Sequence, residues 1–325
     1  MSLKKSVLKV MEENRSKYIS GQQLADELSV SRSAIWKAIN SLKNDGYNID
    51  ATTKKGYKLI EENDLLSREG IIPYLDKKYT DIPLIVKQTV ISTNAEAKKL
   101  AVDNASHGTV IISEEQTGGR GRLGRSFYSP AKTRIYMSII LHPHINITAA
   151  SLITTAASVA VCRAIRSLCN MEAKIKWVND IFIDDKKVCG ILTEAVTDFE
   201  SGMVESIILG IGINIKTIHF PDEIKETAAS LYSSDSSAIN RNLLIAKILN
   251  ELFPLYDNLE ERKFINEYKS YSMILGEDIK YYLNNTEYSG KAVDIDNNGG
   301  LIVQVSGGKI ETLNSGEITI RRYQQ

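Results

Sequence analysis

One short stretch restricts the fold more than any other: Glu115-Gln116-Thr117-Gly118-Gly119-Arg120-Gly121-Arg122-Leu123-Gly124-Arg125-Ser126-Phe127. Gly119, Gly121 and Gly124 carry the spacing of a dinucleotide-binding turn. That turn needs a helix directly after its glycines, to aim amide groups at a pyrophosphate. Here the chain runs into Ser126-Phe127-Tyr128-Ser129-Pro130 and then an apolar run, Ile135 to Leu141, that reads as a strand. No Gly-Lys-Ser/Thr follows either, so a P-loop is excluded. What remains is a strand-to-strand loop with three interleaved arginines. Glycines permit close backbone approach, and arginines offer permanently charged bidentate donors for phosphate. On the loop alone two readings stand: a triphosphate grip that closes over an intermediate, and a solvated basic loop or second nucleic-acid contact.

The neighbouring pattern alternates strands and helices. Leu84–Val86 and Thr109–Ser113 read as strands, and Ser92-Thr93-Asn94 precedes a helix from Ala95 to Val102. Thr148 to Leu168 reads as a long, Ala-rich, buried helix. Lys174 to Asp180, Ile181–Ile183, a turn at Asp184–Lys186 and a strand from Lys187 to Glu194 follow. Lys187 opens that strand, either as a solvated end or with its ammonium aimed into a site. The strand Ile207–Leu209 leads into Gly210-Ile211-Gly212-Ile213-Asn214. Alternate glycines leave one strand face bare, for a ligand or for close packing of another backbone.

The first sixty residues are different in kind. They hold eleven basic and six acidic residues, within a chain of zero net charge. Ser6–Glu13 forms a first amphipathic helix. Ser20 with Gln23 makes a capping box for a second, bearing Leu24, Ala25 and Leu28. After the turn at Ser29-Val30, Ser31 caps a third helix over Arg32–Lys43, with Ile35, Ile39 and Leu42 inward. Its other face carries Arg32, Ser33, Trp36 and Lys37. Tyr47–Ala51 and Gly56–Ile60 then alternate as a hairpin with Lys54 and Lys55 at its tip. Helix, turn, recognition helix and basic hairpin together are a winged helix-turn-helix, which places those residues against phosphates and base edges of DNA. The competing reading is a protein-contact module with solvated charges.

The chain of 325 residues is expected to hold two or three domains. Three sparse cysteines and four scattered histidines show no metal-like spacing, which suggests reduced thiols in a cytoplasmic setting. No apolar run approaches the ~18 residues of a membrane span, and the N-terminus lacks the pattern of a signal peptide.

The Gly119–Arg125 loop, Lys174–Asp180, Lys187–Gly190 and Gly210–Asn214, in that order behind a winged helix, resemble the biotin protein ligases of the bifunctional type that also repress biotin operons. The resemblance covers essentially the whole chain. It implies an α+β multidomain protein: a winged-helix DNA-binding domain (1–64), a central α/β biotin- and ATP-binding domain with a mixed sheet (65–273), and an SH3-like β-barrel (274–325). Residues 222–270 are expected to be helical, as in Leu243–Leu252. Short strands at 279–283, 287–295, 300–305, 309–313 and 317–321 fit the last domain.

The resemblance implies two chemical steps. Biotin and ATP give biotinyl-5′-AMP, and a lysine of a biotin carboxyl carrier or pyruvate carboxylase-type acceptor domain then takes the biotin. Lys187, Arg122 and Arg125 match the catalytic charges. Ser92, Thr93, Asn94, Gln116, Gly119, Arg120, Arg122, Lys187 and Gly190 match biotin-binding positions. Arg122, Arg125, Phe127, Lys176, Asn179, Asp180, Asn214 and Arg321 match nucleotide-binding positions, with Asp180 beside Mg²⁺. Arg32, Ser33, Trp36, Lys37, Lys54 and Lys55 would meet operator DNA. The adenylate would act as corepressor of a homodimer, with no membrane involved. The chain departs from the family in having Val178 where Pro is usual and Phe127 where Trp is frequent. A ligand-sensing transcription factor without ligase activity, and a ligase for lipoate or octanoate, are the competing functions.

Overall fold

The computed structural model describes residues 2–60, 63–142, 149–197, 204–233, 239–283, 286–314 and 317–320. The chain divides into two compact units, Met1–Asp81 with Ser237–Lys247, and Ile82–Ser236 with Ile248–Gln325.

In the first unit, α1 (Leu3–Glu13), α2 (Gly21–Glu27) and α3 (Arg32–Asn44) precede a hairpin of β1 (Ile49–Thr52) and β2 (Gly56–Leu59). The caps follow from side-chain chemistry. Gln23 N donates to Ser20 Oγ at 3.1 Å, and Ser20 N donates to Gln23 Oε1 at 2.9 Å. Ala34 N donates to Ser31 Oγ at 3.2 Å. Val7, Leu8, Met11, Leu24, Ile35, Ile39, Leu42 and Leu59 close one core. Gly56 has φ +98°, and any Cβ there would run into the Ile19 carbonyl, to which the hairpin bonds through Tyr57 N at 2.9 Å.

The compact unit runs past residue 64, to Asp81. Ser67 caps α4 (Arg68–Ile71), which packs on α1. Arg15 donates to Asn63 O at 2.7 Å. Arg241 is fully buried and donates to Asp64 Oδ2 at 2.8 Å, while Asn242 Nδ2 donates to Leu65 O at 2.9 Å. Polar pairs far apart in sequence hold this segment, so a local composition reading misses them.

The larger unit is built on a seven-stranded mixed sheet. Its strands are β3 (Leu84–Val90), β4 (Val110–Gln116), β5 (Arg134–Leu141), β6 (Lys174–Lys176), β7 (Asp180–Ile183), β8 (Lys186–Thr197) and β9 (Val204–Asn214). Their order is β3-β4-β5-β9-β8-β7-β6, with β3 and β4 parallel and the other pairs antiparallel. Between β3 and β4 runs α5 (Thr93–Val102), which packs on β4, β5 and β9 through Ala97, Ala101, Ile111, Ile140 and Ile208. α6 (Ala149–Cys169) packs against β6 to β9, with Thr154 Oγ1 2.6 Å from Thr193 Oγ1. Thr193 alternates with Leu192 and Glu194, so α6 covers the other face. By length and composition Ser151–Cys169 passes as a membrane span, against the sequence expectation, but 72% of it is buried in the fold as a core helix.

After β9 the chain is not helical from 222 as expected; the next helix is α7 (Arg241–Asp257), followed by α8 (Phe264–Tyr271). The intervening backbone spends its hydrogen bonds on strand ends. Lys187 N donates to Thr227 O at 2.8 Å, Ala229 N to Lys187 O at 2.9 Å, and Leu231 N to Asn214 O at 3.0 Å. A five-stranded antiparallel sheet completes the unit: β10 (Asp278–Leu283), β11 (Thr286–Ile295), β12 (Leu301–Val305), β13 (Ile310–Leu313) and β14 (Glu317–Ile320), in the order β13-β12-β11-β10-β14. Trp177 Nε1 donates to Gly299 O at 2.8 Å and anchors this sheet beside the larger one.

Candidate active site

The α5 face of the large sheet has a bare strip where the register sets glycine opposite glycine. Gly190 pairs with Gly212, and Leu192 with Gly210. Across β9 the same rows continue to Tyr136 and Ser138 on β5. The strip is filled by side chains of the chain itself. A Cβ at Gly212 would stand 2.6 Å from the Phe127 ring, and one at Gly190 3.2 Å from Lys187 Cε. At Gly210 it would collide with the Asn94 amide. The alternating glycines therefore seat site residues rather than a neighbouring backbone.

Above the strip lies a cavity of about 440 Å³. The loop after β4 forms one wall. Gly121 N donates to Arg125 O at 2.7 Å and Phe127 N to Gly119 O at 2.9 Å, so residues 119–127 fold back on themselves around a 3-10 turn at Arg122–Gly124. Arg120, Arg122, Arg125 and Phe127 line the cavity from this loop. Gly119 does not line it. It stands behind the wall, where a Cβ would press on Ser129 Oγ at 2.5 Å.

The charged end is built from β7 and β8. Lys187 Nζ pairs with Asp180 Oδ1 at 2.7 Å. Arg122 Nη1 donates to Asn179 Oδ1 at 3.1 Å, and Asn179 Nδ2 donates to Ile191 O at 2.6 Å. A register shift in β7 between Ile181 and Phe182 adjusts this edge. Lys187 thus lines the cavity rather than ending a strand in solvent. Lys176 lines the same end, its Nζ 5.5 Å from the Phe182 ring centre. Asp180 is the one carboxylate among the described lining residues, and no cluster of three or more potential metal ligands occurs among them.

The opposite end is neutral and densely hydrogen-bonded. Thr93 N donates to Gln116 Oε1 at 2.8 Å, and Gln116 Nε2 donates to Ser129 Oγ at 3.2 Å. Ser92, Thr93, Asn94 and Gln116 line this end. Asn94 Nδ2 donates to Glu194 Oε2 at 2.6 Å, and Lys98 Nζ to Glu194 Oε1 at 2.5 Å. Burial pushes the Glu194 carboxyl up, but the hydrogen bonds from Lys98 and Asn94, with the charges of Lys98 and Arg120, outweigh it and hold the group below its ordinary range.

Several lining residues escaped the sequence reading. Arg134, almost fully buried, faces the rings of Phe127, Tyr128 and Phe220 at 5.6, 5.0 and 5.1 Å. Its Nε donates to Thr217 Oγ1 at 2.9 Å, and burial lowers its pKa to about 10. Arg134, Tyr136 and Ser138 alternate with Ile135, Met137 and Ile139, a period-two signal that was available. Phe220, Ile224 and Thr227 come from the irregular segment, which carries no such signal. Asn214 lines the cavity with its Nδ2 donating to Ala229 O at 2.8 Å. Ile318 of β14 reaches the cavity, whereas Arg321 lies outside the described residues.

The predicted DNA-contacting residues lie in the first unit, and none of them lines this cavity. Arg32, Ser33, Trp36, Lys37, Lys54 and Lys55 are all exposed, Trp36 at 57%. Lys55 Nζ lies 5.4 Å from the Tyr18 ring centre, so one wing lysine rests on an aromatic face.

Three family models match the chain: the HTH domain over residues 4–58, the Biotin/lipoate A/B protein ligase family over 86–214, and the Biotin protein ligase C terminal domain over 274–321. The bifunctional ligase/repressor BirA of Bacillus spizizenii is 35% identical over 98% of this chain and 99% of its own length. That of Escherichia coli is 27% identical over 93% of this chain and 92% of its own. Among solved structures, the biotin protein ligase from Aquifex aeolicus in complex with biotin and ATP superposes with a TM-score of 0.64, at 29% identity, over 74% of this chain and 99% of that one.

Proposed function

The chain belongs to the family of bifunctional biotin protein ligases and repressors, and from that premise we propose how its own residues divide the work. It is an ATP-dependent biotin protein ligase and a biotin-responsive transcriptional repressor. We assign DNA binding to residues 1–64, catalysis to 65–273 and a supporting role to 274–325.

In the first step the biotin carboxylate oxygen attacks the α-phosphorus of ATP. An O–P bond forms, and pyrophosphate leaves with the electron pair of the broken P–O bond. In the second, a lysine amine of an acceptor domain attacks the acyl carbon. A C–N bond forms, AMP leaves, and the amine releases a proton. Bringing an anion to a polyanion requires alignment and charge neutralisation rather than a protein nucleophile. The observation that carries the assignment is one cavity with a cationic end, Lys187, Arg122 and Arg125, facing a neutral hydrogen-bonding end, Thr93 and Gln116. Lys187 stabilises charge developing on the carboxylate and α-phosphate. Arg120, Arg122 and Arg125 grip phosphates and fold the loop over the intermediate. Thr93, Ser92, Asn94 and Gln116 hold the biotin ring system, and Gly190 lets it approach the sheet. Phe127 meets the base, and Lys176, Asn179 and Asn214 complete the nucleotide site, to which we also assign Arg321, outside the described residues.

A lone carboxylate fits Mg²⁺ delivered with ATP, since that ion keeps waters and substrate phosphates beside one or two carboxylates. Asp180, with Asn179 next to it, would hold it, and the ion would neutralise phosphate charge. ATP–pyrophosphate exchange tests the assignment: it should require biotin and collapse in Lys187→Ala. No biotin-dependent exchange, from folded protein, would return the sensor reading or a different acid. Lipoate outcompeting biotin would change the acid.

For repression, we propose that α3 and the hairpin bind operator DNA as a homodimer, with biotinyl-5′-AMP as corepressor. The adenylate would order the arginine loop, and a ligand shifts such an equilibrium only through differential affinity for its two states. Gel shifts on the chain's own biotin-gene promoters should tighten with biotin and ATP together. Acceptors would be biotin carboxyl carrier and pyruvate carboxylase-type domains, in a cytoplasmic setting that suits three free cysteines.

A further inference from the structure

The neutral end of the cavity contains a hydrogen-bond chain whose direction is fixed at one end. Asn94 Nδ2 faces Glu194 Oε2 at 2.6 Å and Leu192 O at 3.4 Å. Turning the amide over would set its oxygen against a carboxylate and a carbonyl, so the amide nitrogen must point there. Asn94 Oδ1 therefore faces Ser138 Oγ, 2.6 Å away. Ser138 is fully buried and has one proton, which must go to that amide oxygen. Ser138 Oγ also lies 2.7 Å from Thr93 Oγ1. With the Ser138 proton committed, the Thr93 hydroxyl proton goes to an acceptor of the protein, Ser138 Oγ at 2.7 Å or Gln116 Oε1 at 3.1 Å. Gln116 Oε1, 3.1 Å from Thr93 Oγ1, already accepts the Thr93 amide proton. Thr93 is left with lone pairs only toward the cavity that it lines.

We propose that Glu194 is a positioning residue that sets the polarity of this end, through Asn94 and Ser138, so that Thr93 accepts an N–H from the bound ring system and rejects an acceptor in its place. Lys98 keeps Glu194 ionised by pairing at 2.5 Å, and Gly210 leaves the Asn94 amide room to lie on the sheet. A cyclic urea supplies the N–H that Thr93 needs, whereas a dithiolane or an alkyl chain does not. Glu194, Lys98 and Ser138 do not line the cavity, so they act through Thr93. The inference rests on the reading of biotin as the substrate.

The test uses the full-length protein and calorimetric titration of biotin and of its two carbamate analogues, each with one ring N–H replaced by oxygen. Wild type should reject at least one analogue by about a hundredfold, because a buried acceptor then faces an acceptor. In Glu194→Gln the neutral amide partner can present either polarity, so only the longer contact to Leu192 O, at 3.4 Å, still opposes turning Asn94 over. The penalty for that analogue should fall to within about tenfold, even if biotin itself binds more weakly. Ser138→Ala should act in the same direction, by freeing the Thr93 proton, and it serves if Glu194→Gln does not fold. A purely structural role would weaken biotin and analogue alike, so an unchanged penalty in the folded variants overturns the proposal. So does a wild type that binds all three equally. A wild type that binds no biotin overturns instead the substrate assignment on which the proposal stands.

Discussion

The winged-helix face and the cavity use charge in opposite ways. On α3 and the hairpin, Arg32, Trp36, Lys37 and Lys54 are exposed, and among the described residues no side-chain hydrogen bond or ion pair holds them. In the cavity, Lys187, Arg122 and Asn94 are each fixed by a named partner at 2.6–3.1 Å, Asn94 by Glu194, which does not itself line it. The first arrangement keeps binding groups off the stability ledger. The second preorganises them, which lets them act without reorganisation and ties several of them to the fold.

The sharpest way to separate the two is to remove charge at each. Lys187→Ala should lower biotin-dependent pyrophosphate exchange by about 10²–10³-fold, as for loss of one transition-state donor. Its melting temperature should stay within a few degrees, since the pair with Asp180 is partly exposed. A full-strength exchange rate would remove Lys187 from the chemistry. Gly212→Val attacks the seating rather than the charge. Its Cβ alone would stand 2.6 Å from the Phe127 ring, so the ring must leave the strip. Overpacking of this kind costs about 1–3 kcal/mol. Denaturant unfolding should register that loss, and ATP affinity should fall with it. Retained ATP affinity would show that Phe127 does not form the base site.

Arg32→Ala and Lys37→Ala test the other region. Each should weaken DNA binding about uniformly across sequences and reduce the slope of log affinity against log salt by about one, if it meets a phosphate. Neither should move the melting temperature, because both side chains are exposed. A coupled loss of stability would break the contrast between the two regions.

The same contrast governs what the residue order reveals. Helix spacing at Ile35, Ile39 and Leu42, and the Ser20–Gln23 cap, are local signals, and each forms as the pattern implies. The cavity is assembled across the sheet. Motif glycines at 190, 210 and 212 point to a bare strip, but Asn94 and Phe127, which fill it at 210 and 212, come from α5 and the β4–β5 loop. Glu194 lies 100 residues from Asn94, and no local pattern pairs them. The segment after β9 misled as a helix because its backbone groups are satisfied by strand ends, a tertiary effect that propensity does not see. Arg241 pairs with Asp64 across 177 residues for the same reason.

The smallest effect separates two carboxylates that look alike on paper. Glu12 and Glu194 each have a cation at hydrogen-bond distance, Arg15 at 2.8 Å and Lys98 at 2.5 Å. Glu12 lies in the core of the first unit at 3% exposure, beside Glu69, and burial outweighs Arg15 to raise its carboxyl above the ordinary value. Glu194 ends below it. A raised folded-state pKa contributes stability that is present below the unfolded value and lost as pH rises through the folded one; a depressed pKa does the reverse. Glu12→Gln should therefore gain on wild type near pH 7, with the gain shrinking as pH falls toward ~5. Glu194→Gln should lose near pH 7, hold that deficit at ~5, and recover only as pH drops through the depressed value. Scanning calorimetry should find differences of a few degrees at most. Parallel pH trends in the two variants would mean that burial, rather than the partners of Glu194, governs both sites, and the polarity assigned to Asn94 would lose its anchor.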